Sequence, residues 1–370
     1  MTEPSVPQLE ALLSAALGRP VRIRATRRLS PWSVLRCELD GAPGSVIAKW
    51  LRDDPSGFRT DPRQVATELA ALEFLASIGF AQAPRPIAAD LAADLLVLED
   101  LSPCTPLADL IRRDGADAAR APLTAFAEAM GALGAATAGK AGDYTAKRAR
   151  YGAPDPSQGI ALGLGAGWAD TRACLEAFGQ AMSGAASAEL AAAAQALLNP
   201  GPFLALSNGD PEANNFLVRE DGGKVIDFET AAFRHALTSA TWIHIPGPAW
   251  ITVSAPVVAA EIEDDYRRVL AAAVPEAADD RQFGFGLAAA CAALAYERLN
   301  RFPRLDARPP GDPSRVQMVA TLEAAAGVAR RHRAMPDLAG WMLRTAEWLR
   351  RRWPDADVDL AALPAYTRRH

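Results

Sequence analysis

Between Leu206 and Val218 the chain reads Leu-Ser-Asn-Gly-Asp-Pro-Glu-Ala-Asn-Asn-Phe-Leu-Val. Asp210 falls in a polar loop, and Asn215 opens the apolar stretch that follows it. A second apolar stretch ends in Val-Ile-Asp227-Phe-Glu229. Glu220-Asp221-Gly222-Gly223 between them is a turn signature, so the pattern predicts a hairpin of strands 215–219 and 224–228. A turn at 221–223 sets position 215 opposite about position 228. Asn215 and Asp227 then lie side by side at the open end, with Asp210 just before them. An amide oxygen and a carboxylate at one point suit Mg²⁺, which takes few protein oxygens and fills its other sites with water and phosphate. A separate carboxylate can orient a hydroxyl and accept its proton. Those are the parts phosphoryl transfer needs. The spacing alone suits a polar loop beside a solvated turn equally well.

The elements that must position these residues are legible along the chain. Residues 7–17 form a short amphipathic pattern stopped by Gly18 and Pro20. Strands are expected at 21–27, 34–39 and 45–51, joined by tight turns as an antiparallel meander. A helix follows, with Asp61 as N-cap, Pro62 in its first turn, an apolar stripe of Val65, Leu69, Leu72 and Ala76, and a stop at Gly79. Two more strands are expected at 85–89 and 95–99. From 107 to about 199 the pattern is helical and Ala-rich, interrupted by a looser stretch at 151–167. Gly163-Leu-Gly-Ala-Gly167 has no strand before it and reads as a loop, not as a dinucleotide site. After 235 the pattern is mostly helical to about 352. The reading is α+β, with a small sheet lobe over 1–101 and a large helical lobe over 102–370 that holds one embedded hairpin.

Composition bounds the function. At roughly 150 residues per domain, 370 residues suggest two or three units. Half the residues are apolar and 22% are charged, which excludes a disordered chain. With 39 basic against 44 acidic side chains the net charge is −5, so no bulk attraction to nucleic acid is expected. No apolar run reaches the roughly 18 residues of a membrane span, and the N-terminus lacks the pattern of a secretory signal. Cys37, Cys104, Cys174 and Cys291 lie far apart, which suits a reducing cytoplasm rather than a zinc or disulfide framework. His235, His244, His332 and His370 show no metal-ligand spacing. No G-x-S-x-G elbow signals acyl transfer. The acidic run Glu261-Ile-Glu263-Asp264-Asp265 reads as a solvated helix face. Arg350-Arg351-Arg352 with Trp348 and Trp353 reads as the exposed face of a terminal helix.

Asn208-Gly-Asp210, four residues, Asn215 and then Ile226-Asp227-Phe228-Glu229 resemble the H-G-D-x-x-x-x-N and I-D-[FW]-E motifs of the aminoglycoside phosphotransferase and choline kinase families. Other landmarks follow in family order. Val46-Ile-Ala-Lys49 resembles the third strand, Thr67-Glu68-Leu the helix whose glutamate pairs with that lysine, Ala83-Pro-Arg-Pro86 the step into the fourth strand, and Leu95–Leu101 the hinge that meets adenine. The resemblance spans roughly residues 20–245. It implies a two-lobed protein-kinase-like fold and ATP-dependent transfer of a γ-phosphoryl group to a hydroxyl of a small molecule such as an antibiotic, amino sugar or amino alcohol. Asp210 would be the base, Asn215 and Asp227 the Mg²⁺ ligands, and Lys49 with Glu68 the phosphate clamp. Glu99 and Leu101 would lie at the nucleotide base, and GTP could replace ATP. On the residues alone, Glu68 and Glu73 are hardly separable on their helix, and the resemblance favours Glu68. Ser30 and Ser33 fall where the family has its phosphate loop, and Ser33 is the candidate there.

Two positions depart from the family pattern. Its catalytic-loop histidine is Asn208 here, a residue that can also bond to backbone. Its Asp-Leu-Ala helix after the second motif is replaced by Arg234-His-Ala-Leu-Thr-Ser239-Ala-Thr-Trp242, with no Asp. These departures motivate the alternative of a nucleotide-binding scaffold without transfer activity. His235 could touch substrate or serve as a structural hydrogen-bonding group. The acceptor and the oligomeric state are not readable in the sequence.

Overall fold

The computed structural model describes residues 3–29, 33–51, 63–153, 168–246, 250–252, 256–358 and 366–368. The sequence readings at Ser30, Asp61, Pro62 and the Gly163–Gly167 run lie outside these residues.

The first lobe follows from strand alternation. β1 (Ile23–Arg28), β2 (Val34–Leu39), β3 (Ser45–Trp50), β4 (Pro86–Asp90) and β5 (Leu95–Glu99) form one antiparallel sheet in the order β1-β2-β3-β5-β4. Side chains on a strand point to opposite faces in turn. Val46, Ala48 and Trp50 therefore join Leu35, Cys37 and Val97 under α1 (Val6–Leu17), which contributes Leu9 and Leu13 to this outer core. Ser5 caps α1 and Gly18 ends it at φ 65°, in the left-handed region that glycine enters at no steric cost. The opposite face carries Ile47, Leu96 and Leu98 against α2 (Arg63–Ser77), in the larger core. Lys49 belongs to that inner face, opposite Leu96 in β5.

The remainder is mostly helical. A short β6 (Thr105–Pro106) leads into α3 (Leu107–Ala118), α4 (Arg120–Thr137), α5 (Ala141–Arg148), α6 (Trp168–Ala177) and α7 (Gly184–Leu198). Four strands follow: β7 (Leu204–Ser207), β8 (Phe216–Arg219), β9 (Gly222–Val225) and β10 (Ala232–His235). After a 3₁₀ segment at Ala236–Ile243 come β11 (Trp250–Thr252), α8 (Pro256–Leu270), α9 (Asp280–Arg298), α10 (Phe302–Asp306), α11 (Pro313–Arg331), α12 (Pro336–Arg352) and β12 (Tyr366–Arg368). This is the two-lobed, protein-kinase-like layout that the resemblance implies. β7 pairs with β10, and β8 pairs with both β9 and β6. Among the described residues no helix is long and apolar enough to cross a membrane.

The hairpin differs from expectation in register. Gly222 and Gly223, at φ 110° and 152°, belong to β9 rather than to the turn, which shrinks to Glu220–Asp221. Phe216 consequently faces Val225, and Asn215 O accepts from Ile226 N–H at 2.9 Å, two positions earlier than the expected pairing with 228. Gly223 is required there, because a Cβ would stand 2.7 Å from the Leu217 carbonyl oxygen. The acidic run also differs. Glu261 and Asp265 pair with Arg120 and Arg268 at the surface, but Glu263 is buried between His244, at 2.7 Å, and His332, at 2.9 Å. Helical periodicity turns that one position inward. The basic run on α12 is paired: Arg350 with Glu323, Arg351 with Glu347, and Arg352 with Asp306.

Phe126 on α4 holds the hairpin and the 236–243 segment together. It is fully buried, stacks on Phe216 at 4.9 Å between ring centroids, and meets Trp242 at 4.3 Å. It thus joins α4 to the hairpin and to the 236–243 segment. Phe126→Ala is expected to cost about 3–5 kcal/mol, read as a lower denaturant midpoint with an unchanged slope.

Candidate active site

Lys49 gathers carboxylates from both lobes. Its Nζ lies 2.7 Å from Glu68 Oε2 and 3.1 Å from Glu229 Oε2, and it also pairs with Asp227 Oδ1. A lysine on an apolar strand is costly without such partners. Glu68 reaches it from the buried side of α2, and its other oxygen accepts the Phe228 N–H at 3.3 Å. Glu73 is drawn elsewhere, accepting from the Tyr151 hydroxyl at 2.6 Å. Burial raises the Glu68 pKa; Lys49 works against that rise, and the Asp227 and Glu229 charges add to it. Asp227 has φ 65°, a left-handed conformation uncommon outside glycine but several-fold enriched in Asp and Asn.

The loop that carries Asp210 is built from backbone contacts. Asn208 is fully buried and donates from Nδ2 to Asp210 O at 3.1 Å and Ile226 O at 3.2 Å. It ties the loop to the strand that leads into Asp227. Gly209, at φ 90°, admits no side chain: a Cβ would lie 2.4 Å from the Thr230 carbonyl oxygen. Asp210 is exposed, and Asn215 Nδ2 donates to its Oδ2 at 2.9 Å and to its carbonyl at 3.0 Å. Asn215 Oδ1 accepts from Asn214 Nδ2.

The missing Asp after the second motif has a replacement. Ser239 Oγ donates to Ser207 Oγ at 2.9 Å, and Ser207 Oγ accepts the Gly209 N–H at 3.1 Å. Two small hydroxyls span the gap. His235 makes structural contacts, its Nδ1 accepting the Leu237 N–H at 3.2 Å and its ring stacking on Phe203, and it also lines the cavity that Asp210 borders. Burial pushes its pKa down to about 4, so it is neutral at pH 7.

The oxygen donors suit a hard cation. Glu68, Asp227 and Glu229 bring one oxygen each within 4.8 Å of one another. Asn215 lies at the neighbouring loop, with an amide oxygen that can accept a second contact. The three carboxylates are an all-oxygen set that fits Mg²⁺ and does not fit a soft metal, while the Asn215 side chain is engaged with Asp210 and Asn214.

Three nucleotide-side candidates lie apart from this cluster. Ser33 is buried with no partner for its Oγ, and its carbonyl accepts the Trp50 N–H. Across the strand pair Lys49 faces Val34, not Ser33. Glu99 is paired with Lys224 and Arg85, each at 2.8 Å. The Leu101 carbonyl accepts from Arg219 Nη1.

On the other side of Asp210 a cavity of about 270 Å³ opens between the loop, β10 and the end of α9. Arg234, Arg298, Arg301, Glu212 and Glu297 line it. The sequence reading did not single these out. Glu212 lies two residues from Asp210, but the two distant arginines after α9's Ala-rich stretch carry no local signal.

A profile described as "Phosphotransferase enzyme family" matches residues 25–272, more than half of the chain. The chain belongs to the phosphotransferase enzyme family. No curated protein matches this phosphotransferase in sequence. Solved structures similar to it include a choline/ethanolamine kinase family protein from Mesorhizobium loti (15% identity, TM-score 0.42, covering 88% of this chain and 92% of that one). Choline kinase LicA from Streptococcus pneumoniae is similar at 11% identity and TM-score 0.45, covering 86% of this chain and 98% of that one. A choline kinase from Cryptosporidium parvum Iowa II is similar at 10% identity and TM-score 0.44, covering 89% and 93%.

The serine pair gives a test. Ser207→Ala and Ser239→Ala are each expected to cost about 1 kcal/mol, and the double variant little more than either single one. Additive losses in denaturant unfolding would show that the two hydroxyls do not act together.

Proposed function

We propose that this phosphotransferase moves the γ-phosphoryl group of ATP to a hydroxyl of a small molecule held in the cavity beside Asp210. The observation that carries the reading is the meeting of Lys49 and Glu68 with Asp227, one loop away from an exposed Asp210 at the mouth of a cavity. Asp210 orients the acceptor hydroxyl and takes its proton. A bond forms between the acceptor oxygen and the γ-phosphorus, the bond from that phosphorus to the bridging oxygen breaks, and ADP leaves. Lys49 exchanges carboxylate partners for phosphate oxygens, while Glu68 keeps its ammonium in place. Asp227 and Asn215, with Glu229 adjacent, would hold Mg²⁺, whose charge offsets that developing on the transferred group. The buried Asn208 and the serine pair hold Asp210 in the geometry this step needs.

Asp210→Asn is expected to keep Mg·ATP-induced thermal stabilisation and to lose about 10²–10⁴ in turnover. Asp227→Ala is expected to lose the stabilisation itself. Normal phosphoryl transfer by Asp210→Asn, measured as ADP release with any accepted hydroxyl, would remove Asp210 from the mechanism.

A further inference from the structure

Helix α2, which carries Glu68, belongs to the first lobe by sequence but is gripped by the second. It packs against α5. Arg148, the last residue of α5, is 2% exposed. Its guanidinium donates from Nε to Thr67 Oγ1 at 3.2 Å, from Nη2 to Arg63 O at 3.4 Å and from Nη1 to Gly152 O at 3.0 Å. Thr67 Oγ1 donates in turn to Arg63 O at 2.7 Å, so it accepts from Arg148 and donates along its own helix. Further along α2, Phe74 meets Tyr144 of α5 at 5.8 Å and Phe233 of β10 at 6.1 Å between ring centroids. On another flank the Tyr151 hydroxyl donates to Glu73 Oε2 at 2.6 Å, and Lys147 Nζ donates to Glu73 O at 3.3 Å. The stretch 144–152 thus holds α2 on both sides of Glu68 along the helix axis.

Helix geometry turns this grip into control of one carboxylate. At about 100° per residue, positions 63, 67 and 74 fall within about 40° of one another, on the face turned to α5. Glu68 stands about 100° round from Thr67, toward Lys49. A side-chain tip about 6 Å from the helix axis moves about 2 Å when the helix rotates by about 20°. Glu68 Oε2 stands 2.7 Å from Lys49 Nζ, and a shift of that size is enough to break the contact. The sheet meets α2 through Ile47, Leu96 and Leu98, and apolar contact has no preferred direction. The hydrogen bonds from Arg148 are directional, and they set the rotation.

We propose that Arg148 is a positioning residue for the phosphate clamp: acting through Thr67, it fixes the rotation of α2 and so holds Glu68 on Lys49. Tyr151, acting through Glu73, is the second hold. The fork of the guanidinium suits the task, because one rigid planar group reaches Thr67, Arg63 and Gly152 together. The inference rests on the reading of Lys49 and Glu68 as the pair that holds the phosphates of ATP.

The test separates phosphate-dependent binding from binding of the nucleoside, by calorimetric titration of the full chain with Mg·ATP and with adenosine. Thr67→Val removes the hydroxyl with little change of shape. It is expected to weaken Mg·ATP binding about tenfold and to leave adenosine binding as in the wild type. Tyr151→Phe is expected to weaken Mg·ATP binding about threefold. Arg148→Met is expected to lose at least as much as Thr67→Val, and Arg148→Lys, which keeps one donor, to fall between Arg148→Met and the wild type. Should Arg148→Met not fold, Thr67→Val decides alone. The Thr67→Val loss is expected to vanish in a Glu68→Ala background, where no carboxylate remains to be positioned. Folded Thr67→Val that binds Mg·ATP as tightly as the wild type, equal losses for adenosine and Mg·ATP, or an undiminished loss beside Glu68→Ala would each overturn the inference. Mg·ATP binding by the wild type separates the two failures. If it is present, only the positioning role is wrong; if it is absent, the phosphate-clamp reading falls and this inference falls with it.

Discussion

The ammonium of Lys49 is the point on which the site depends. It receives Glu68 from α2 and Asp227 and Glu229 from the segment after β9. Removing one member of a buried ion cluster leaves uncompensated charge, at about 3–5 kcal/mol. The dependence runs further through hydrogen bonds. Glu68 holds the Phe228 N–H, the Ile226 carbonyl in the same segment holds Asn208, and Asn208 holds the carbonyl of Asp210. A lysine placed by strand alternation in one lobe therefore sets the position of a carboxylate in the other.

The second lobe supplies a rigid seat for that chain of contacts. Phe126 locks α4 to the hairpin and to the 236–243 segment, and Ser239 on that segment steadies the loop through Ser207. Glu263 fastens the same segment from behind through His244, with His332 and Arg331 from the end of α11. Burial would raise the Glu263 pKa, but its hydrogen bonds to the two histidines prevail and hold it at about 2. The cavity wall made by Thr241 and Trp242 is therefore held by two independent polar anchors.

Much of this was legible where local pattern and chemistry agree. β2 and β5 fall on the residues that periodicity predicts, and β3 falls within its expected strand, where alternation sets Lys49 on the face opposite Ala48 and Trp50. A lysine on an apolar strand needs a partner, and it was the family resemblance that named a glutamate on the next helix. What spacing could not say was which one, because Glu68 and Glu73 share a flank; the side chain of Tyr151, far along the chain, draws off the second. The hairpin register was missed because two consecutive glycines normally mark a turn, and here they lie in a strand pressed against Phe216 and Leu217. Glu263 and the arginines of the cavity were missed for a common reason. Helical periodicity turns Glu263 inward, but the groups that meet these residues come from elements roughly 20 to 90 residues away, and the sequence near them does not encode those partners.

The most direct measurement of the central claim is the melting temperature of Lys49→Met against that of the wild type from pH 5 to pH 8. Without the ammonium, burial and the neighbouring Asp227 and Glu229 charges hold the Glu68 pKa in the folded state above the unfolded value of about 4.3 for Glu with nothing to oppose them. Stability from such groups is present at low pH and lost as pH rises through the folded pKa. The account predicts a deficit that is largest at pH 8 and shrinks toward pH 5. A variant that melts with the wild type at pH 8, or a deficit that grows on acidification, would contradict it.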